Sequence, residues 1–577
     1  MKNPPCLSAL SRNFALALAG LCGLTLLVAP SASAAEPATY PLVIGVDDCG
    51  SYFKNFKNGN ERFWTNEVFF QALRELGATH LVTHVLPQLQ PDAKALGQML
   101  VEMDEALRAH GITYAIDNES PNYNASVELT PGRNEYEHPG GVHRWDLRME
   151  WLNPLLPPAQ PSPAFRGIVY DECDHMLLSG SKHANDTQTF DKPSLVDTTN
   201  LKLEVAFDKL VEAAASVRTG HYEGRVQLYT EQVWPDLYHL FARAGWSIAP
   251  KELKEGITPV VLSIALGAAI QYADRTHFSV TPDMWGLGFF PGHSTSALRS
   301  ALMMGYWLGA ESIYIENLDF KGQNRERHPD ATLGGLLNWS DAKRYEVTPH
   351  GKVLSDFACT YVPANPRPIT WRDYRPRVAI VRLPDGCWGQ FPNVGKKESP
   401  SRDRLLGNPA HPSDPPAREW LQVWSILSHG VVSPLSLSYW NKKAYPKGIG
   451  PFFVPLDSVA VFDHTVTGPV LDSVECFVVC GHALSPETFA AISARAANGA
   501  TVIIAKRLYD RCAPSGKKPA GNWLVVDNFA APSVAAKLKP FLGTPDVARY
   551  RFAQHVVEFH KTTDRDAVEV RVTARSK

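Results

Sequence analysis

Carboxylates that could exchange protons recur in the first half of the chain, each directly after a short apolar run. In chain order, the runs end in Asp47-Asp48, Asp117, Asp171-Glu172, Glu231, Asp283 and Glu316. Solvent-facing helices explain carboxylates anywhere, but not their repeated position after residues that form buried strands. Any single one could instead cap a helix or pair with an arginine. Taken together, the set predicts a site of acid-base chemistry.

Cleavage of a glycosidic bond is the chemistry that most needs such a set. A carboxylic acid protonates the leaving oxygen, and a carboxylate attacks the anomeric carbon or activates water. The two carboxyls need different pKa values, which crowding of like charges can produce. We interpret Glu231 and Glu172 as the first candidates for acid and for base or nucleophile. Asp171 and Glu316 are further catalytic candidates, because both also end apolar runs.

Polar and aromatic residues at the same positions are candidates for substrate binding. We expect Asp47 and Asp48 to accept hydrogen bonds from sugar hydroxyls at the bottom of the site. Aromatic faces stack on pyranose rings, although packing in the core explains each aromatic residue equally well. The predicted substrate-binding residues are Asp47, Asp48, Asp117, Tyr170, Trp234, Asp283 and Trp285.

Two histidines near the carboxylates make metal-dependent hydrolysis an alternative chemistry. His84 and His175 follow the second and fourth apolar runs, and His and Asp together build hydrolytic metal centres. The first run lacks a His-x-His motif, so we predict neither a metal nor another cofactor. A metal-dependent hydrolase of esters or amides remains an alternative. A non-catalytic carbohydrate-binding protein on a degenerate barrel is another.

The segments that must position these residues alternate between strands and helices from residue 41 to residue 320. Eight strands are predicted, the sixth with the weakest pattern, at 42–46, 80–85, 112–116, 167–170, 226–229, 246–248, 277–280 and 312–315. Eight alternations over this length are typical of a (β/α)₈ TIM barrel. An open doubly wound sheet would have fewer strands and a glycine-rich loop after the first strand. Active sites of such barrels lie at the carboxyl ends of the strands, where the candidate residues stand.

A smaller α/β domain is predicted to follow the barrel. The proline-rich residues 362–368 mark the boundary, and strand 476–479, helix 486–498 and strand 501–505 form a βαβ unit. The last 30 residues alternate like a terminal β hairpin or a small β appendage. We therefore predict an α/β protein with a TIM-barrel catalytic domain over residues 36–370, an α/β domain over 371–545 and a β segment over 546–577.

The first 35 residues have the three parts of a secretory signal. Lys2 and Arg12 precede an apolar run at 14–28, and small residues follow at 31–35. We expect cleavage after Ala34 or Ala35 and a secreted or periplasmic protein. The 57 basic and 59 acidic residues give a formal charge of −2, and no second long apolar run follows. Neither a nucleic acid nor a membrane is therefore predicted as a partner of the mature chain.

The layout resembles that of clan A-type glycoside hydrolases. The residues that carry the resemblance are the exit helix with Tyr345, Gly351 and Phe357, the segment Asn365-Pro366-Arg367-Pro368, and the α/β domain beyond it. The layout is most similar to the β-galactosidases of family 42, which carry a barrel, a glutamine-amidotransferase-like trimerisation domain and a small β domain. The stretch 475–505, with Leu484-Ser485-Pro486-Glu487 and Asn498-Gly499-Ala500-Thr501, is similar to that second domain.

The resemblance implies an acid/base after strand four and a nucleophile after strand seven. Glu172 matches the acid/base position, but Asp171 precedes it where those enzymes have Asn. Asp283 stands where they have the nucleophilic Glu, which favours a divergent glycosidase, one that could invert configuration. The resemblance also implies oligomerisation through the second domain. Cys480 lacks the Gly-x-Cys-x-Gly elbow of amidotransferases, so we expect an ordinary buried thiol.

Overall fold

A computed structural model describes the chain over most of its length. The described residues are 40, 42–48, 62–84, 93–118, 136–137, 143–144, 147–158, 161–174, 198, 200–283, 293–316, 318, 335–390, 404–408, 411–439, 441–513 and 520–575. The predicted signal peptide, His175 and Trp285 lie outside these ranges.

Eight parallel strands close into a barrel, so the predicted fold class is confirmed. The strands are β1 (Val43–Asp48), β2 (His80–His84), β3 (Thr113–Asp117), β4 (Phe165–Asp171), β5 (Leu228–Gln232), β6 (Ser247–Glu252), β7 (Ser279–Pro282) and β8 (Ser312–Glu316). They follow one another around the barrel in chain order, and β8 pairs with β1. The weakly predicted sixth strand is present and extends beyond its predicted end to Glu252.

Helices cover the outside of the barrel. They are α1 (Glu67–Leu76), α2 (Ala93–Ala109), α3 (Leu203–Ser216), α4 (Tyr238–Arg243), α5 (Thr258–Gln271), α6 (Thr295–Trp307) and α7 (Pro349–Asp356). Asn66 caps α1 by accepting a hydrogen bond from the Val68 amide, and Gly77 ends it in the left-handed conformation. The residue types at the two ends of α1 thus explain where this helix begins and ends.

A second parallel sheet of five strands follows the barrel. It contains β9 (Val378–Arg382), β10 (Val459–Asp463), β11 (Cys476–Val479), β12 (Thr501–Ala505) and β13 (Asn522–Val526), in the order β10-β9-β11-β12-β13. Its helices are α8 (Pro415–Leu427), α9 (Pro486–Ala497), α10 (Lys506–Cys512) and α11 (Pro532–Leu538). The predicted βαβ unit corresponds to β11, α9 and β12.

The end of the described chain forms an antiparallel sheet of three strands within the predicted C-terminal β segment. The strands are β14 (Val547–Arg551), β15 (His555–Lys561) and β16 (Val568–Ala574). Short two-stranded pairings join Leu337–Asp341 to Arg344–Val347 and Tyr136–Glu137 to His143–Arg144.

Helix α5 is apolar on every side because the second sheet packs against its outer face. Every residue from Thr258 to Ile270 is buried, as expected for a helix enclosed between two layers. At Gly267 a Cβ atom would lie 1.9 Å from the carbonyl oxygen of Val461, so only glycine fits where α5 meets β10. Gln271 donates a 2.7 Å hydrogen bond to Asp463 at the end of β10. The second sheet is therefore fixed against the barrel by both packing and hydrogen bonds.

No helix within the described ranges is long and apolar enough to span a membrane. The six described cysteines, at 173, 359, 387, 476, 480 and 512, are all free thiols.

Candidate active site

Each barrel strand contributes one inward-facing titratable residue at, or just past, its carboxyl end. Residues two apart on a strand face the same side. An apolar layer of Val82, Ala115, Val169, Ala249 and Tyr314 fills the interior, and the next inward positions carry the titratable groups. From strand one to strand eight these groups are Asp47, His84, Asp117, Asp171, Glu231, Lys251, Asp283 and Glu316, all of them buried. The structure thus brings together most of the carboxylates that the sequence singled out.

Lys251, which sequence reasoning missed, is the centre of this arrangement. Its Nζ atom lies 2.8 Å from Asp171 Oδ1, 3.3 Å from Glu231 Oε1, 3.2 Å from Asp283 Oδ2 and 2.7 Å from Glu316 Oε2. The carboxylate oxygens of three of these residues lie within 4.8 Å of one another, a spacing that could hold a metal ion. In this structure the cation that they surround is the lysine ammonium.

The surrounding carboxylates keep Lys251 charged. Burial alone would lower the pKa of Lys251, but Asp171, Glu231, Glu316 and Asp283 raise it well above its usual value. A lysine that attacks a carbonyl must first lose its proton. Lys251 is therefore a cation that organises carboxylates and not an amine nucleophile.

Two carboxyls in the cluster have raised pKa values, as acid-base chemistry requires. Burial, together with the charge of Asp283, raises the pKa of Glu316 to about 8. Burial and the neighbouring carboxylates raise the pKa of Glu231 well above its usual value, although Lys251 opposes the shift. The Tyr314 hydroxyl lies 3.4 Å from Glu231 Oε2 and donates to it. Glu316 is therefore mostly protonated at neutral pH, beside the charged Lys251.

Glu172 leaves strand β4 in a conformation that few non-glycine residues adopt. Its φ is +46°, and its backbone amide donates a 2.8 Å hydrogen bond to the Glu231 carbonyl. Left-handed backbone at a residue other than glycine, asparagine or aspartate is uncommon and clusters at functional sites. The carboxylate reaches Lys254, another residue missed from the sequence, with Oε1 2.8 Å from Nζ.

Glu172 and Asp283 lie close together because they share that lysine. Lys254 Nζ is 2.8 Å from Glu172 Oε1 and 2.7 Å from Asp283 Oδ2. The two oxygens are therefore no farther apart than the sum of those two distances. Carboxyl groups separated by about 5–5.5 Å suit a glycosidase that retains configuration, whereas inverting enzymes need about 6.5–9.5 Å. The pair from strands four and seven thus lies closer together than an inverting enzyme needs.

Strands one to three bring together a separate group of one histidine and two aspartates. His84 Nε2 lies 2.7 Å from Asp47 Oδ1 and 3.5 Å from Asp117 Oδ2. Burial raises the pKa of Asp47, while His84 opposes the shift. One nitrogen and two carboxylate oxygens within 4.8 Å of one another could hold a divalent cation. They can equally bind sugar hydroxyls, as predicted for Asp47.

The predicted site residues Asp48, Tyr170 and Trp234 are not among the eight inward-facing titratable residues. Asp48 is fully buried at the end of β1. Tyr170 faces the helix layer and not the barrel interior, because its neighbours Val169 and Asp171 face inward; its hydroxyl is 2.9 Å from that of Tyr222. Trp234 is 5% exposed, and its ring lies 6.5 Å from the Trp388 ring. Trp285 lies outside the described residues.

The second sheet supports the ends of strands β5 and β6 from outside. Arg382 at the end of β9 is fully buried between Asp385, at 2.5 Å, and Asp236, at 3.5 Å. The Tyr439 amide donates a 2.7 Å hydrogen bond to the Glu255 carbonyl beside Lys254. Cys480 is buried among apolar groups and charged neighbours, and burial raises its thiol pKa, which agrees with an inert thiol.

The amino ends of the strands surround a cavity of about 280 Å³. Arg166, His80, His277 and Glu311 line it. His277 Nδ1 lies 2.8 Å from Glu311 Oε2, and Trp371 donates a 2.8 Å hydrogen bond to the other oxygen of Glu311. His80 Nδ1 is 2.9 Å from the Thr113 hydroxyl. At this end, Glu311 and both histidines therefore have their own local partners.

No protein-family model and no curated protein sequence matches this chain. Solved structures do resemble it. An exo-β-1,4-mannosidase from Opitutaceae bacterium strain TAV5 is 11% identical, with a TM-score of 0.43, over 93% of this chain and 87% of the other. A cold-adapted β-galactosidase from Rahnella sp. R3 is 11% identical, with a TM-score of 0.45, over 93% and 82%. A family GH42 β-galactosidase from G. stearothermophilus is 11% identical, with a TM-score of 0.45, over 81% and 72%.

The closed eight-stranded barrel and the parallel sheet after it have the fold that the resemblance to clan A-type glycoside hydrolases predicted. The chemistry of this chain must be inferred from its own side chains.

Proposed function

We propose that this protein is an exported glycoside hydrolase that cleaves a poly- or oligosaccharide with retention of configuration. Glu172 acts as general acid and then as base, and Asp283 acts as nucleophile. The observation that carries this assignment is the ammonium that both carboxylates share, which holds their oxygens closer together than an inverting mechanism needs. The resemblance to clan A-type enzymes supports it, because it implies these roles after strands four and seven.

The first chemical step forms a covalent intermediate. Asp283 Oδ2 attacks the anomeric carbon while Glu172 donates its proton to the departing glycosidic oxygen, whose bond to that carbon breaks. In the second step Glu172 removes a proton from water, the water oxygen bonds to the anomeric carbon, and the bond to Asp283 breaks. Both carboxyls then return to their initial state, with one water consumed for each bond cleaved.

The other charged residues orient this pair. Lys251, 3.2 Å from Asp283 Oδ2, keeps that carboxylate ionised for attack. Asp171, Glu231 and Glu316 hold Lys251 in place. In this scheme Glu231, a first catalytic candidate from the sequence, acts through Lys251 and does not touch the reacting carbon.

The test is a screen of the purified mature protein against a broad panel of poly- and oligosaccharides, with products followed by chromatography. Wild type and Glu311→Gln, a control at the opposite end of the barrel, should release sugar, and Asp283→Asn should not. Release by Asp283→Asn at the wild-type rate would contradict the assignment. Silence of all three proteins, with measurable binding of one glycan, would favour the degenerate carbohydrate-binding barrel.

The group of Asp47, His84 and Asp117 favours a second candidate function, a metal-dependent hydrolase of esters or amides. A chelator that abolished activity, with zinc restoring it, would support that candidate. Under the glycosidase proposal, chelation leaves sugar release unchanged.

Export is proposed from the three-part sequence of the first 35 residues. N-terminal sequencing of protein recovered from the periplasm or medium tests it, with Ala35 or Glu36 expected as the first residue.

A further inference from the structure

We propose that the cavity at the amino ends of the barrel strands is a second binding site, which takes a small organic carboxylate through the guanidinium of Arg166. This cavity lies at the end of the barrel opposite the carboxylate cluster. The inference goes beyond the proposed function and does not depend on it, because binding can be measured without a glycoside.

The cavity exists because the lowest inward-facing residues of the barrel are small or polar. Barrel interiors are usually filled by layers of bulky branched side chains. Here the inward positions two residues before the apolar layer are His80, Thr113, Gly167, Ser247 and Ser312. None of these five carries a bulky aliphatic side chain, and about 280 Å³ stays open beneath the apolar layer. The amino end of the barrel is therefore hollow where a packed layer is usual.

A β-bulge turns Arg166 toward this cavity. Two successive residues of β3 pair with Phe165 and Gly167, so Arg166 between them is an extra residue in β4. Strict alternation from Gly167 would direct Arg166 to the helix layer, but a bulge re-aims a side chain, and Arg166 lines the cavity. The bulge requires glycine at position 167, where φ is +138° and a Cβ atom would lie 2.1 Å from the Gln227 carbonyl oxygen. The local backbone is thus shaped to direct a cation into the cavity.

Arg166 is a cation that can bind a ligand at neutral pH. Within the described part of the chain, its guanidinium pairs with no carboxylate. Burial, together with the charge of Arg166, lowers the pKa of His80 to about 3, so His80 beside it is neutral. A guanidinium donates two parallel hydrogen bonds to a carboxylate. A carboxylate is therefore the group that Arg166 fits.

Glu311 favours a ligand with a single negative charge. It also lines the cavity, and its two oxygens interact with His277 and Trp371. Burial would raise the pKa of Glu311, but hydrogen bonds from these two residues lower it overall, so Glu311 is ionised. Its charge repels an anion, and it repels a doubly charged one more strongly. The site therefore suits a monoanion.

The rest of the lining determines the size and the body of the ligand. Ligand pockets usually measure about 300–1,000 Å³, so a cavity of about 280 Å³ admits only a small molecule. Val82 and Val169 offer apolar contacts. Ser312 donates a 2.7 Å hydrogen bond to Ser279, which keeps its own proton to donate. Gln227 donates its amide protons to protein oxygens, which leaves its own oxygen to accept. A short hydroxy acid can make all of these contacts.

The experiment is isothermal titration calorimetry of the full-length mature protein with lactate and glycerate at millimolar concentrations. Lactamide, which lacks the charge, and inorganic phosphate, which lacks the organic body, are the comparison probes. Wild type should bind at least one of the two hydroxy acids at one site per chain. Lactamide and phosphate should bind at least about tenfold more weakly.

Two variants and a control place the binding in the cavity. Arg166→Gln should weaken binding of the hydroxy acid by about 10–100-fold, because hydrogen bonds from a charged group are lost. Ser312→Leu, which fills the cavity, should abolish binding, with circular dichroism to verify the fold. Arg344→Gln is the matched control and should bind as wild type does, since Arg344 pairs with Asp341 in an exposed ion pair.

Absence of binding to either hydroxy acid in wild type would overturn the proposal. Undiminished binding in Arg166→Gln or in folded Ser312→Leu would do the same, and so would equally tight binding of phosphate or lactamide. If Ser312→Leu does not fold, Arg166→Gln decides alone. None of these outcomes bears on sugar release at the opposite end of the barrel, so the proposed function is tested separately.

Discussion

The two ends of the barrel carry similar residue types but pair them differently. At the amino ends, His277 and Trp371 each serve one oxygen of Glu311. At the carboxyl ends, the single ammonium of Lys251 is shared by five buried carboxylates. Local pairing stabilises a fold, whereas crowding of buried carboxylates raises their pKa values and reduces stability. The carboxyl end is therefore the end arranged for chemistry.

The largest expected effect is on kcat, and it distinguishes Glu172, at the carboxyl ends of the strands, from Glu311, at their amino ends. Glu172→Gln should lower kcat by about 10²–10⁴-fold, because the acid and base function is lost. Glu311→Gln should stay within about twofold of wild type, since it lies at the amino end. Steady-state kinetics on the cleaved sugar measures both.

A Glu231→Gln variant allows two carboxylates at the carboxyl ends of the strands, Glu231 and Glu172, to be compared by the activity that each loses. Acting through Lys251, it should lose less activity than Glu172→Gln. A larger loss in Glu231→Gln would return the acid/base role to Glu231, the first candidate from the sequence.

The barrel and its carboxylates were predictable because both follow simple rules. Each of the eight apolar runs became a strand, and acidic residues after those runs converge at one end. Lys251 was missed because β6 continues past Pro250 through charged residues, which give no hydrophobic pattern. Lys254 was missed because it lies two residues beyond the end of that strand. Tyr170 was misplaced for a different reason. Counting alternate positions from Asp171 would have assigned it to the helix layer.

The second sheet was predicted only in part. Strands β11 and β12 are continuous apolar runs flanking an amphipathic helix, a pattern that signals a βαβ unit. Strand β10 was not recognised, although residues 459–462 form an apolar run like those of β11 and β12. What the sequence does not indicate is its contact with α5 of the barrel, which is distant in sequence. Such long-range packing has no local signal.

Replacement of Lys251 tests how much its ammonium stabilises the fold against the buried carboxylates around it. Lys251→Met should reduce the free energy of unfolding by about 3–5 kcal/mol, because it leaves buried carboxylates without their cation. Urea unfolding at neutral pH measures the loss. Lys209→Met, at the exposed ion pair of Lys209 with Glu212, should lie within about 1 kcal/mol of wild type. Equal effects of the two substitutions would refute the central position of Lys251.

A smaller expected effect concerns the free energy of unfolding. Its dependence on pH should have opposite signs for Glu316, at the carboxyl ends of the strands, and Glu311, at their amino ends. Burial raises the pKa of Glu316 to about 8, so the stability linked to its protonated form is present at low pH and lost as the pH rises toward 8. Burial would raise the pKa of Glu311 too, but hydrogen bonds from His277 and Trp371 lower it overall. The stability linked to Glu311 is therefore lost as the pH falls.

Urea midpoints between about pH 4 and about pH 9 measure these slopes. Glu316→Gln should flatten the decline toward high pH, and Glu311→Gln should flatten the decline toward low pH. The same slope change in both variants would contradict the contrast between the two ends.

The anomeric configuration of the first product tests the central claim most directly. Proton NMR would follow wild type acting on the identified glycoside, before mutarotation mixes the anomers. Retention at the cleaved carbon is the predicted result, because Glu172 and Asp283 lie too close for a water between them. A first product of inverted configuration would contradict the assignment of Asp283 as the nucleophile.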